Sequence, residues 1–219
     1  MLSSQLAVLM AKDLRLHWRA LAGAMADTLT LAAAAAYAIP QGPGPRVALV
    51  FNLNLMLAFL WSEWLITRER SKGTFRWLRT LPVDDRAVVG SKFAAAGLWS
   101  TAFWAVSSAM FARELLHPVG TWVTLLAGLW LFGGLAVAAK WRFSWRVGHI
   151  GPLLALVLPL LLTMTLAPDG SPRREALLAL WNAPWGRRLA AGFLLSVYAI
   201  IILATTRWMR RADTLDLVD

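Results

Sequence analysis

The sequence predicts an all-α integral membrane protein: six transmembrane helices, preceded by an amphipathic interface helix, with one charged helical connection between the second and third spans. Three observations carry this reading. Of 219 residues, 58% are hydrophobic and 16% charged, with a mean hydropathy of +0.57. Soluble domains carry roughly 25% charge, and a soluble fold of this length has too little interior to hide so much apolar surface. Apolar stretches near the ~20 residues that cross a bilayer as a helix recur along the chain. The Lys and Arg residues gather at the ends of those stretches rather than along one solvated face.

That placement also decides between partners. A net charge of +10 is compatible with nucleic acid, but cations at span ends set membrane topology instead, so lipid is expected and nucleic acid is not. There is no Cys, which excludes disulfides, thiolate nucleophiles and Cys-ligated zinc or iron–sulfur sites. The first thirty residues lack the order of a signal peptide, because their basic residues follow the first apolar turns.

Residues 4–19 read as an amphipathic helix lying in the membrane interface. Leu6, Leu9, Met10, Leu14 and His17 follow three-to-four spacing, and Lys12, Arg15 and Arg19 line another face. A ragged start to the first span is the plainer alternative. The spans follow at about 20–39, 47–66, 93–113, 119–139, 148–167 and 189–207. Pro- and Gly-rich connections at 41–46 and 117–120 make the spans they join antiparallel neighbours.

If the N-terminus is cytoplasmic, that side receives the sixteen Lys and Arg of residues 12–19, 68–92, 140–146 and 207–211. The other side receives six: Arg46, Arg113, Arg173, Arg174, Arg187 and Arg188. The bias places both termini in the cytoplasm. Trp18, Trp61, Trp64, Trp141, Trp145, Trp181, Trp185 and Trp208 fall near span ends, as an aromatic belt would. In the loop 168–188, Ser171-Pro172 offers an N-cap and a first-turn proline for a short helix over 172–181.

Within the charged connection, Lys72, Arg76 and Arg79 form one basic helical stripe. Thr74, Trp77, Leu78 and Leu81 share an opposed face. The spacing predicts a stiff helix over about 71–82, stopped by Pro82. Asp84 then caps a new helix through Val88, Val89 and Lys92 into the third span. A partner pushing on the 71–82 helix would move both spans. A solvated basic loop with no partner is the plainer alternative.

The order Glu69-x-x-x-Gly73-Thr74-x-x-x-Leu78-x-x-Leu81-Pro82-Val83, closed by Lys92, resembles the first cytoplasmic loop of ABC type-2 exporter permeases. The layout of the whole chain is similar to theirs: six spans, an N-terminal interface helix, a coupling helix after span two, and outer helical elements before span six. The resemblance implies that this chain sits in the cell inner membrane and that its residues 69–82 contact a separate nucleotide-binding ATPase subunit. Glu69, Gly73 and Thr74 would position the coupling helix, Phe75, Trp77 and Leu78 would pack, and Leu81-Pro82 would end it. Arg76 and Arg79 make this face more basic than the family pattern, so an acidic rim on the ATPase is expected. It further implies a second permease chain, identical or related, and an amphipathic or lipid-like substrate. The chain itself would bind no cofactor, with ATP and magnesium held by the partner.

A narrower resemblance is to the haem-exporter B subunit of cytochrome c maturation, through Glu63, Ala87-Val88-Val89 before Lys92, and Leu156-Val157-Leu158-Pro159-Leu160. The sequence departs from it at Leu161-Leu162-Thr163. A non-transporting scaffold whose basic loop binds anionic lipid is the rival from another class.

Other motifs are absent or plain. Gly90-Ser91-Lys92 lacks the first glycine of a phosphate loop, so this chain has no ATP site of that kind. His117, Glu114 and His149 lack the spacing of a zinc helix, no GxSxG elbow exists, and no metal site is expected. Four polar residues inside spans are pathway candidates, since such groups are costly in lipid: Asp27, Asn52, Asn54 and Glu63. Each also has a structural reading, as a neutral or paired Asp27 and a Glu63 paired with Thr67 or Arg70. Asn52 and Asn54 cannot share a helix face, so one is expected to bond a neighbouring span and the other to face a cavity. Ala32 to Ala36, and Gly128, Gly133 and Gly134, read as close-packing positions. Pro152 and Pro159 are expected to kink span five.

Overall fold

The computed structural model describes residues 2–38, 43–71, 80, 82–110, 119–142 and 171–211. Six helices occupy them, and no strand occurs among the described residues: α1 (Leu2–Ala38), α2 (Pro43–Ser71), α3 (Asp85–Met110), α4 (Val119–Arg142), α5 (Pro172–Asn182) and α6 (Pro184–Arg211). Among the described residues, three stretches are long and apolar enough to cross a membrane: Val50–Thr67, Thr121–Arg142 and Trp185–Arg211. The expected first and third spans correspond to α1 and α3. At 1.5 Å per residue these are about 55 and 39 Å long, though α3 is more polar, with Ser91, Lys92, Ser100, Thr101, Ser107 and Ser108 along it. The expected fifth span, with Pro152 and Pro159, lies outside the described residues, as does nearly all of the expected 71–82 helix.

The expected break between an interface helix and the first span does not occur. One helix runs through, because residues 2–22 contain neither Gly nor Pro and nothing caps an end near Arg19. The short helix expected over 172–181 forms as α5, and the Glu175 N–H donates to the Ser171 carbonyl at 3.2 Å. Prolines also open α2 and α6, where the missing N–H costs nothing. Basic residues close α4 (Lys140, Arg142) and α6 (Arg210, Arg211), opposite the helix dipole's negative end.

Contact order along each pair fixes the directions. Asn54 meets Ser107 and Trp61 meets Trp99, so α2 and α3 are antiparallel. The Trp122 and Trp130 indoles donate to Ser108 and Thr101 at 2.9 and 3.0 Å, so α3 and α4 are antiparallel as well. Gln5 meets Asp84 and Asp13 meets Lys92, so α1 runs parallel to α3. Thr124 meets Arg187 and Gly134 meets Tyr198, so α6 runs parallel to α4. Arg142 and the start of α6 therefore lie at opposite ends of the bundle.

The largest apolar cluster joins five helices at one end: Leu9, Ile66, Val88, Val89, Phe93, Val137, Trp141, Tyr198 and Met209. Without a hydrophobic drive between helices in lipid, close approach and polar ties hold such a bundle. Gly134 is where α4 and α6 touch: a Cβ there would sit 2.6 Å from Tyr198 Cε2 and 3.2 Å from Phe93 Cε1. The Tyr198 hydroxyl donates to the Phe93 carbonyl at 2.9 Å. The close-packing expectation thus holds for Gly134. Of the Trp residues expected in an aromatic belt, Trp18 and Trp185 are exposed, whereas Trp61 and Trp141 are buried between helices, 6% and 1% exposed.

Candidate functional site

The charged connection re-enters the described structure at Thr80 and then Pro82, both exposed. Two residues later Asp84 starts α3 as its sequence context predicts. Its carbonyl accepts from Ala87 N at 2.8 Å and Val88 N at 3.1 Å, and its Oδ1 accepts from Arg86 N at 2.9 Å. Asp85 adds a carboxylate to the first turn, where the helix dipole favours it.

Two other helices close on this start. Gln5 of α1 bridges it: Nε2 donates to the Pro82 carbonyl, and Oε1 accepts from Asp84 N, both at 3.3 Å. Arg210 of α6 lies 3.8 Å from Asp84 Oδ1, a half-exposed pair of small energetic weight. Leu9 and Met209 pack on Val88 and Val89 beneath it. Gly90 gives α1 room, since a Cβ there would lie 3.1 Å from Leu6 Cδ1.

One turn further in, Lys92 Nζ reaches both carboxylate oxygens of Asp13 at 2.8 Å. The two side chains are 1% and 0% exposed. Lys12 approaches the same carboxylate at 3.3 Å but belongs to α1 itself. Charge-assisted, two-oxygen contacts are strong, and breaking one in a buried site strands a charge. Sequence reasoning missed this pair. The signal was available, because Asp13 falls four residues from both Leu9 and His17, in the middle of the face read as apolar. That face is expected to lie in the membrane interface; instead Leu9, Asp13 and His17 are buried inside the bundle.

His17 continues the same face, with its ring 4.8 Å from Trp64 and 5.7 Å from Trp61. Beyond it lies an apolar crevice of about 260 Å³ between α1 and α2, lined by Ala20, Leu21, Ala24, Leu57, Leu60, Trp61 and Trp64, with Phe103 of α3 at its back.

The pathway candidates separate. Asn54 is buried; its Nδ2 donates to the Val50 carbonyl at 2.8 Å and to Ser107 Oγ at 2.9 Å, the expected bond to a neighbouring span. Asn52 points to the exposed side of α2, and Asp27 lies on the exposed face of α1 with Gly23, Ala26 and Thr30. The backbones of Glu63 and Glu69 belong to α2, but their side chains are outside the described set. Gly73, Thr74, Phe75, Arg76, Trp77, Leu78, Arg79 and Leu81 are outside the described residues altogether. Among the described residues, no group of three His, Asp or Glu is placed to hold a metal ion.

A protein-family model described as "ABC-2 family transporter protein" matches residues 46–168, more than half of the chain. The match begins at the start of α2 and includes α3, α4 and the charged connection. No curated protein and no solved structure matches the chain.

Proposed function

This chain belongs to the ABC-2 transporter family, a multi-pass membrane component of ABC transporters, and from that premise we propose that it is the permease of an exporter driven through residues 69–82. Family members generally work with an ABC ATPase subunit. In this reading a separate ATPase docks on Glu69, Gly73, Thr74, Phe75, Arg76, Trp77, Leu78 and Arg79. ATP and magnesium stay in that partner, and two permease chains enclose the path. The substrate is amphipathic or lipid-like, by analogy with the family.

The observation that carries this reading is the start of α3. The connection ends at Pro82 and immediately meets a capped helix held by α1 and α6. A displacement of the connection therefore reaches three helices at once. The family match favours neither the haem-exporter branch nor a non-transporting scaffold.

Directions of the helices support both termini on one side and six crossings in all. The starts of α1 and α3 and the ends of α2, α4 and α6 share one end of the bundle. The Lys and Arg of 12–19, 140–142 and 207–211 gather there, the cytoplasmic end by the positive-inside rule. With α4 and α6 parallel, Arg142 and Pro184 lie at opposite ends of the bundle, as a six-span count requires.

The test is assembly. Expressed with a nucleotide-binding ATPase encoded beside its gene, the wild-type chain co-purifies that ATPase, and Phe75→Ala with Leu78→Ala loses it. Equal recovery with the double variant would show that the ATPase docks elsewhere.

A further inference from the structure

We propose that the buried Asp13–Lys92 pair is a tie that makes α1 move with α3 when the connection is displaced, so that the driven motion opens and closes the crevice between α1 and α2. This rests on the reading of residues 69–82 as the driven segment, but adds what that reading leaves open: which helices travel together.

The argument starts from register. Packed helices can make small shear movements against each other where apolar side chains alone join them, because such contacts fix no bond direction. Leu6 against Gly90, Leu9 against Val88 and Val89, and Leu21 near Ala95 and Phe103 form a contact of that kind. Asp13 and Lys92 interrupt it with a directional bond. Both carboxylate oxygens are engaged at 2.8 Å, and neither side chain is exposed to water that would solvate the separated charges. Relative movement of α1 and α3 at this level draws the buried Lys92 ammonium away from the Asp13 carboxylate, which keeps only Lys12 of its own helix at 3.3 Å, so the register is pinned. Gln5 pins it again two turns lower, on Pro82 and Asp84.

α2 is held differently. Its polar tie to α3, Asn54 to Ser107, lies near the opposite end of the bundle. Near the driven end, α2 meets α1 through His17 on Trp61 and Trp64, and the apolar crevice lies directly beyond. A displacement of the connection reaches α2 at Ser71 and α3 just after Pro82, and the tie makes α1 follow α3 rather than α2. The α1–α2 gap is what changes. Gln5, Leu9, Asp13 and His17, each four residues apart, form one face that runs from the connection to the crevice.

The absence of Cys allows a direct test with paired spin labels. One pair joins exposed positions across the gap (Ala22→Cys and Leu60→Cys), and one joins α1 to α3 (Ala11→Cys and Arg86→Cys). Distances are measured in nanodiscs on the permease–ATPase complex, without nucleotide and trapped with ATP and vanadate. The expected result is a shift in the 22–60 distance with an unchanged 11–86 distance. In Asp13→Leu with Lys92→Met, which removes both charges and keeps the volume, the 22–60 shift is lost and the 11–86 distance becomes nucleotide-dependent. Asp13→Glu, which keeps the charge pair, retains the wild-type pattern. A double variant whose α1 follows α3 as before would overturn the tie. A wild-type complex that forms but shows no shift in either pair would overturn it too. Failure of any ATPase to assemble with the wild-type chain would instead sink the parent reading, and this inference with it.

Discussion

Lys92 shows how one residue can be read correctly for its sign and wrongly for its surroundings. In the sequence it closes a run of cations and looks like one more topological marker. In the fold it is 1% exposed and bonded to Asp13 of a helix 79 positions earlier. Removing one partner leaves the other charge buried, so Asp13→Ala is expected to cost about 3–5 kcal/mol. Asp13→Leu with Lys92→Met is expected to be near neutral, and denaturation in detergent compares the two. Gly134 makes the second residue-scale prediction. Its missing Cβ is what lets Tyr198 lie 2.6 Å from that position, so Gly134→Ala overpacks the α4–α6 contact at a cost of about 1–3 kcal/mol. Thermal unfolding of the variant against wild type checks it. Each feature is only half legible in the sequence: Asp13 stands out on an apolar face and Gly134 reads as a close-packing position, but their partners Lys92, 79 positions away, and Tyr198 show only once the helices are placed. Asp84 is the contrasting case, legible because a cap is set by the residues beside it.

Helices were foreseen where local chemistry decides them. The caps of α3 and α5 and the basic ends of α4 and α6 follow from neighbouring residues. The division of α1 was misjudged because charge pattern suggested a boundary that the backbone does not need. No Gly, Pro or capping residue near Arg19 breaks the helix, and its buried face continues through Asp13 and His17. The start of α3 carries the element-scale prediction. Asp84→Ala removes the acceptor of Arg86 N and should cost about 1 kcal/mol, with faster hydrogen exchange at Arg86, Ala87 and Val88. Asp84→Asn keeps an oxygen acceptor there and should retain most of the protection. That contrast separates the cap from the Arg210 contact, which Asn weakens by removing the charge.

At the scale of the whole molecule, directions of packed helices say what hydropathy alone does not. Hydropathy identifies Val50–Thr67, Thr121–Arg142 and Trp185–Arg211, while the parallel course of α4 and α6 puts Arg142 and Pro184 at opposite ends of the bundle. Single cysteines placed in this Cys-free chain test the resulting topology. Ser4→Cys and Arg211→Cys should react with a membrane-impermeant thiol reagent only from the cytoplasmic face, and Trp185→Cys only from the other. The central claim is that residues 69–82 are the driven segment, and ATP hydrolysis by the assembled complex in nanodiscs tests it most directly. Where Phe75→Ala with Leu78→Ala still leaves ATPase bound to be assayed, its hydrolysis should no longer respond to the permease and should match that of the isolated ATPase. Hydrolysis identical to the wild-type complex would contradict the account.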